Sequence, residues 1–346
     1  MITAFPETLG LTPEQVEALL VTVGQAPSLH NAQPWRLRLG PEAIELYADP
    51  DRRLPAADPD DRELRIGCGA ALYNLRLALL GDGIRPLVTL LPDPDRPELL
   101  AVVRHGGRKP ATPEQHRLLR AVPLRRTNRH PYADEPVSRP EQSALRRAAL
   151  DEGGWLEIID DPGRRTALRD IAARAHRAQT TDPAFRVEFA RWTGRADDRA
   201  DGVPATAGTP AEPHDRWVLR DYTGGNRPAR PPGKDFETEP LIAVLTTHLT
   251  GPAADVQAGQ ALQRVLLTAT ADGLATSFLS HIVEVPHARE EVRRLIAGTQ
   301  PPQAVLRVGR GWPVPPTGRR APADLIAPSS TCTRSGAPHE KETETT

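Results

Sequence analysis

The sequence predicts an α+β protein of 346 residues built from two related halves. Three observations carry that prediction. Segments with the 3.6-residue apolar period of helices are interspersed with segments showing the two-residue period of strands. The chain is too long for one ordinary core and comfortable for two. Finally, two helical segments repeat one another. Gly69 to Ile84, GAALYNLRLALLGDGI, and Gly259 to Leu274, GQALQRVLLTATADGL, share a Gly, an Ala-Leu pair, a Leu and a closing Asp-Gly, 190 residues apart. Unrelated amphipathic helices share part of this pattern, because Gly commonly closes helices. A true duplication would let the chain fold as a pseudo-dimer, with one site drawing different parts from each copy.

The elements follow in order. Thr12-Pro13-Glu14-Gln15 reads as a capped helix start, and Val16, Leu19, Leu20 and Val23 fall on one face. After the segment Ala26 to Trp35, WRLRL and IELYA flank GPEA as a hairpin. A helix from about Cys68 to Leu80 and a strand LVTLL complete the first half, residues 1–123. The second half, 124–326, holds a helix after Arg139-Pro140, a strand WLEII and a helix after Asp161-Pro162. Residues 193–236 are rich in Gly, Pro, Asp and Arg and too long for an ordinary connection, so they read as a lid-like insertion. Trp217, Val218, Leu219 and Tyr222 would anchor it. Beyond it come a strand LIAVLTTHL, a helix over 254–271, a helix over 289–297 and a strand QAVLRVG. The polar residues 327–346 read as a disordered tail.

Lysine plus arginine number 44 against 45 acidic residues, a net charge of -1. This balance gives no bulk reason for nucleic-acid or anionic-membrane binding, so any functional positive charge must be local. No apolar run approaches the roughly 20 residues of a membrane span, and Met1 to Gly10 lacks the order of a signal peptide. The expectation is a soluble, cytoplasmic protein. Cys68 and Cys332 support neither a disulfide framework nor a thiolate metal site. GxGxxG, GxxxxGK[ST] and HExxH are absent, and no metal is expected. His30, His248 and His281 stand as isolated histidines.

Four segments carry candidate chemistry. In APSLHNAQPWR, Ser28, Asn31 and Gln33 offer uncharged hydrogen-bonding groups suited to a polar heteroaromatic edge, although the same residues serve equally to cap a helix and turn the chain. In LRRTNRHPY, Arg125, Thr127 and Arg129 face one way in an extended chain, and two guanidinium forks flanking a hydroxyl make a phosphate clamp. A solvated charge run has the same composition. Gly318-Arg319-Arg320-Ala321-Pro322 supplies a second positive cluster. DGLATSFLSH leaves a helix through Gly273 into small polar residues that permit close backbone approach to a ligand.

Taken together, the four segments resemble the nitroreductase superfamily and, within it, the Acg branch of actinobacterial flavoproteins, from about residue 12 to 326. The resemblance implies a nitroreductase-like fold, duplicated internally, with FMN as cofactor and NAD(P)H as reductant. It places the phosphate on Arg125, Thr127, Arg129 and either Arg319 or Arg320. Ser28, Asn31, Gln33, Pro34, Trp35 and Arg36 would meet the flavin from the other half, with Ser277 and Ser280 on its remaining side. No side chain is assigned a catalytic role. Ordinary members carry all four segments in one chain and sandwich each flavin between two subunits. Here the segments are divided between halves, so the chain would act as a monomeric pseudo-dimer with one complete site, further dimerisation remaining open. The resemblance implies hydride transfer from NAD(P)H to an aromatic nitro or quinone-type acceptor. The insertion, comparable to one thought to cover the flavin in the Acg branch, implies the alternative of an FMN-sequestering protein.

Overall fold

The structure is a computed structural model, and it describes residues 5–196, 198–208, 215, 217–224, 236–237 and 239–327. The first half runs through α1 (Pro13–Gly24), β1 (Trp35–Leu39), β2 (Ala43–Ala48), α2 (Arg62–Gly81), β3 (Ile84–Leu90), β4 (Leu99–Arg108) and α3 (Pro113–Ala121). Then come β5 (Tyr132–Ala133), α4 (Arg139–Leu150), β6 (Gly154–Ile159), α5 (Pro162–Thr181), α6 (Pro183–Trp192), β7 (Thr193–Arg195), β8 (Val203–Pro204) and β9 (Leu241–Thr247). The chain continues through α7 (Pro252–Ala271), β10 (Ala275–Phe278), α8 (His281–Glu284), α9 (Pro286–Leu295) and β11 (Pro302–Gly311).

Local chemistry explains where these elements begin. Thr12 and Gln15 form the expected capping box of α1, with Pro13 in its first turn. α2 starts well before Cys68 because its cap comes from outside the helix: the Asp58 carboxylate accepts from the Leu64 N–H at 2.8 Å. The strand β4 escaped the sequence reading because LLAVV is an apolar run without alternation. The helices α3 and α6 escaped it too, although Thr112 with Gln115 repeats the capping box of α1.

Two antiparallel sheets result. Their orders are β1-β2-β4-β3 and β6-β9-β11-β10, with the short β5 added to β11. In each sheet two strands precede the long helix and two follow it. The long helices also close alike: Gly83 and Gly273 both adopt φ of 74°, a left-handed conformation that glycine reaches without strain. In the second sheet Leu156, Ile158, Ala243 and Leu245 pack toward α4 and α7, while Ile159, Ile242 and Val244 pack toward α5, α8 and α9. This is the two-residue alternation of a sheet covered on both faces.

The halves meet at α2 and α7. A Cβ on Gly69 would lie 2.2 Å from the Val256 carbonyl oxygen, and a Cβ on Gly259 would lie 2.0 Å from that of Ile66. The contact is reciprocal: each glycine receives the backbone three residues before the other. Side chains cross over in the same way, with Val256 buried in the first-half core and Ile66 in the second. After β11 the chain returns to the first half, where Leu325 enters the core and the Ala327 N–H donates to the Leu37 carbonyl at 2.8 Å. The rest of the tail, Cys332 included, lies outside the described residues.

Within the insertion, β7 and β8 pair in parallel and Trp217 is buried against α5 and α9. Among the described residues, no helix is long and apolar enough to cross a membrane, and no group of three or more His, Cys, Asp or Glu residues could hold a metal. Cys68 is a buried free thiol whose Sγ donates to the Pro34 carbonyl at 3.2 Å.

The helix contact makes a direct prediction. Gly259→Ala forces α2 and α7 apart and is expected to cost about 3 kcal/mol, the upper range for overpacking. Urea unfolding of the variant reads this; an unchanged midpoint would show that the helices do not meet as described.

Candidate functional site

The segment between β4 and β5 that carries three of the clamp residues runs beside β10. Thr127 bridges Thr276, and the Asn128 N–H donates to the Thr276 carbonyl at 2.8 Å. This lays Arg125, Arg126, Thr127 and Arg129 along one side of a cavity. The arm after β11 brings Thr317 and Arg319 to the opposite side, and Pro27, Ser28 and Asn31 close it from the first half. Among the described residues, no Asp or Glu lines this cavity.

Electrostatics single it out. Arg125 is 2% exposed, and its Nε and Nη1 have no partner among the described residues. Its Nη2 reaches only the Gln25 carbonyl, at 3.4 Å. Burial first, then the like charges of Arg319, Arg126 and Arg129, push the Arg125 guanidinium below its ordinary range. Arg319 is depressed for the same reasons, burial before Arg126, and its Nε is also unpartnered. A buried cation without counter-charge is costly, and an anion such as a phosphate has the acceptors that would answer it.

A second cavity adjoins the first and shares Pro27, Ser28, Thr127 and Arg129 with it. Its walls are Ile66 and Gly67 of α2, Leu262 of α7, Phe278 at the end of β10, Ser280 after it, and Tyr222 of the insertion, with His30 and Glu63 among its polar members. Gly67 lets the wall come close, since a Cβ there would lie 3.3 Å from the Ser28 Cβ. A slot of mixed apolar and polar lining, with the Arg129 guanidinium shared with the first cavity, suits a heteroaromatic ring. His30 remains neutral because burial dominates, and Arg220 and Arg129 also lower its pKa against Glu284, bringing it to about 3. Glu63 moves the other way. Burial dominates, with Arg62 opposing and Asp58, Glu284 and Asp255 reinforcing, and pushes its carboxyl up to about 8.

The structure brings together Ser28, Asn31, Arg125, Thr127, Arg129, Ser280 and Arg319 around these two cavities. It sends the other candidates elsewhere. Gln33 is fully buried and bonds the Ala200 carbonyl at 2.7 Å and the Arg320 N–H at 2.9 Å. Trp35 lies in the first core, and the carbonyl of Pro34 accepts from Asp49. Arg36 pairs with Asp49 at 2.8 Å, Ser277 is buried in β10 opposite Arg307, and Arg320 bonds the carbonyls of Gln33 and Trp35 at 3.1 Å. None of these six lines either cavity. Of the isolated histidines, His281 is buried away from both cavities and His248 is exposed.

Sequence reasoning missed Glu63, Gly67, Arg126, Thr317 and the insertion residues Val203, Ala207 and Tyr222. One signal was available for Gly67. In the repeat its counterpart is Gln257, so the two copies differ where only one of them lines a cavity. The described residues of the insertion are held to the body at several points. Arg220 forms a buried pair with Glu284, Nη1 to Oε1 at 3.1 Å, and bonds Gln179 at 2.6 Å. Tyr222 stacks beneath the Arg129 guanidinium at 4.3 Å.

No family model matches the chain. Over 336 residues it is 34% identical to Rv3131 of Mycobacterium tuberculosis H37Rv, a protein provisionally named an NAD(P)H nitroreductase, covering 94% of this chain and 93% of that one. It is 33% identical over 326 residues to acg of the same organism, also provisionally named an NAD(P)H nitroreductase, with 93% and 97% coverage. Among solved structures, a nitroreductase with bound FMN from Desulfitobacterium hafniense DCB-2 is 13% identical with a TM-score of 0.37, over 61% of this chain and 97% of that one. The chain belongs to the nitroreductase superfamily, whose mixed helix and sheet fold it has, and within it to an Acg-like branch.

Two predictions follow from the charges. Replacing Arg125 with Met removes a buried cation among like charges, so the ligand-free protein is expected to gain about 1 kcal/mol or more. The same change should abolish stabilisation by added inorganic phosphate. Thermal melts with and without phosphate test both parts, and a variant that melts lower than the parent contradicts them. For Glu63 the folded pKa of about 8 lies above its ordinary 4.5. The folded chain therefore holds a proton that the unfolded chain has lost between those values, and stability falls as pH rises through that window. Glu63→Gln should flatten this slope, with its advantage over the parent growing from pH 5 to pH 8. Parallel stability curves would count against the assignment.

Proposed function

We propose that the chain binds one FMN per molecule and acts as a nitroreductase-like oxidoreductase. The phosphate would sit among Arg125, Thr127, Arg129 and Arg319, and the ring in the adjoining slot. One observation carries the reading: among the described residues, Arg125 Nε and Nη1 have no partner, and their cavity is lined by four arginines and no carboxylate. Bound FMN supplies hydride and electron transfer, between NAD(P)H and an aromatic nitro or quinone-type acceptor. The chain's own residues hold the phosphate, keep the slot dry with Ile66, Leu262 and Phe278, and present neutral polar groups to the ring.

The count of one rests on the halves, residues 1–123 and 124–326, acting as two unequal copies of a subunit. Equal strand orders, reciprocal glycine contacts and matching helix ends support the duplication. On this reading the mate of the slot would be filled. Gln257 stands at the counterpart of Gly67, and its amide packs where a Cβ on Gly153 would lie only 2.4 Å away.

A second reading, FMN held and shielded beneath the insertion, is favoured by Val203, Ala207 and Tyr222 lining the cavities. Both readings bind flavin and differ in access. Purified protein should show the visible absorption of oxidised flavin and reconstitute to one FMN per chain. Anaerobic NADPH should bleach it slowly, and bleaching within milliseconds to seconds would exclude a shielding insertion. A flavin ratio near two would refute the unequal halves, and colourless protein that takes up no FMN would refute the cofactor reading.

A further inference from the structure

The turn between α1 and β1 holds three non-glycine residues in the left-handed region: His30 at φ 49°, Asn31 at 56° and Gln33 at 52°. Each is unfavourable, and such strain persists where surrounding contacts over-determine it. The contacts come from the two amide side chains. Asn31 Nδ2 donates to the Gly202 carbonyl at 3.0 Å and the Gly318 carbonyl at 3.1 Å, and its Oδ1 accepts from Arg319 Nη1 at 2.9 Å. Gln33 Nε2 donates to the carbonyls of Ala200 at 2.7 Å and Asn31 at 3.3 Å, and its Oε1 accepts from the Arg320 N–H at 2.9 Å.

An amide nitrogen has two hydrogens to give, and in both residues both are used within the chain. Neither has a donor left for a ring. What they hold is the arm carrying Arg319. At Gly318 this arm meets the insertion so closely that a Cβ would lie 1.8 Å from the Arg199 carbonyl oxygen. Arg319 Nη1 is fixed by Asn31 Oδ1, by Thr317 Oγ1 at 2.6 Å and by the Gly318 carbonyl at 2.9 Å. Its Nε is left unpartnered beside the arginine-lined cavity. Arg320 points the other way, into the carbonyls of Gln33 and Trp35, and anchors the arm. A guanidinium forced close to Arg125 and Arg126 needs rigid acceptors behind it, or repulsion swings it away.

We propose that Asn31 and Gln33 are positioning residues for phosphate recognition: they set Arg319 in the clamp, through the arm and the insertion, and do not contact the ring. The proposal rests on the FMN reading above and assigns Arg319, not Arg320, to the phosphate.

The test compares FMN with riboflavin, which has the same ring and no phosphate. Affinities are measured by quenching of flavin fluorescence on the full chain, with melting curves confirming that each variant folds. Asn31→Ala should weaken FMN roughly tenfold or more, a single charge-assisted contact's worth, and leave riboflavin within about twofold. Combined with Arg319→Met it should add little to the loss from Arg319→Met alone, as expected for residues acting through one group. Thr317→Val, a near-isosteric change that leaves Asn31 in place, should show the same FMN-selective loss and covers the case in which Asn31→Ala does not fold. Equal loss of FMN and riboflavin in Asn31→Ala, or additive effects with Arg319→Met, overturns the positioning role and returns Asn31 to the ring. An unchanged FMN-to-riboflavin ratio in Thr317→Val also overturns it. A parent protein that binds neither flavin overturns the FMN reading itself, and this proposal with it.

Discussion

At Gly69 and Gly259 the two central helices meet with no side chain between them, and the placing of the site follows from that approach. Because each helix gives its neighbour a glycine, each also sends a residue across: Ile66 into one core, Val256 into the other. The halves are therefore locked in one relative position by packing that neither could complete alone. That position brings the first turns of α2, with Glu63, Ile66 and Gly67, beside Leu262 of α7. A slot between halves is a consequence of how closely two backbones can approach.

The second determinant is charge. The protein buries several arginines, and most of the deepest are answered by carboxylates: Arg307 by Glu237, Arg220 by Glu284. Arg125 and Arg319 have no carboxylate partner among the described residues, and they line the same cavity. A buried cation left unanswered lowers stability, so its retention points to a group that arrives from outside. The contrast matters more than the count of arginines, because the composition is arginine-rich throughout and its balance near zero hides a local excess.

Much of the fold was legible in the sequence, for physical reasons that also mark where legibility ended. Thr12 with Gln15 declares a helix start because capping is local chemistry, and the repeated Asp-Gly declares two helix ends because only glycine takes that conformation without strain. The start of α2 was hidden because its cap, Asp58, acts from a separate turn. At the candidate site, residues of both APSLHNAQPWR and RRTNR line the cavities. Residue type could not tell which amides face a ligand and which face the chain. Asn31 and Gln33 have the same chemistry in either role, and the difference lies in backbone carbonyls at 200, 202 and 318 that arrive from distant parts of the sequence. Tyr222 was legible as an apolar anchor of the insertion but not as a cavity wall, and Val203 was not legible at all, because the insertion has little periodicity from which to place them.

In the proposed function the insertion would link binding to turnover. It is held at Trp217 by apolar burial, at Arg220 by a buried ion pair, and at residues 200 and 202 by the amides that also set the arm. Loops that open often belong to the least stable parts of a protein, with few buried contacts. This one has contacts of all three kinds, and lifting it would strip Glu284 of its partner. On the proposed reading, a second substrate ring would have to displace Tyr222 or wait for such an opening, and a flavin beneath it would gain the same barrier against escape. Contacts that would favour retention would therefore oppose rapid exchange, so that the two proposed functions rest on one set of bonds.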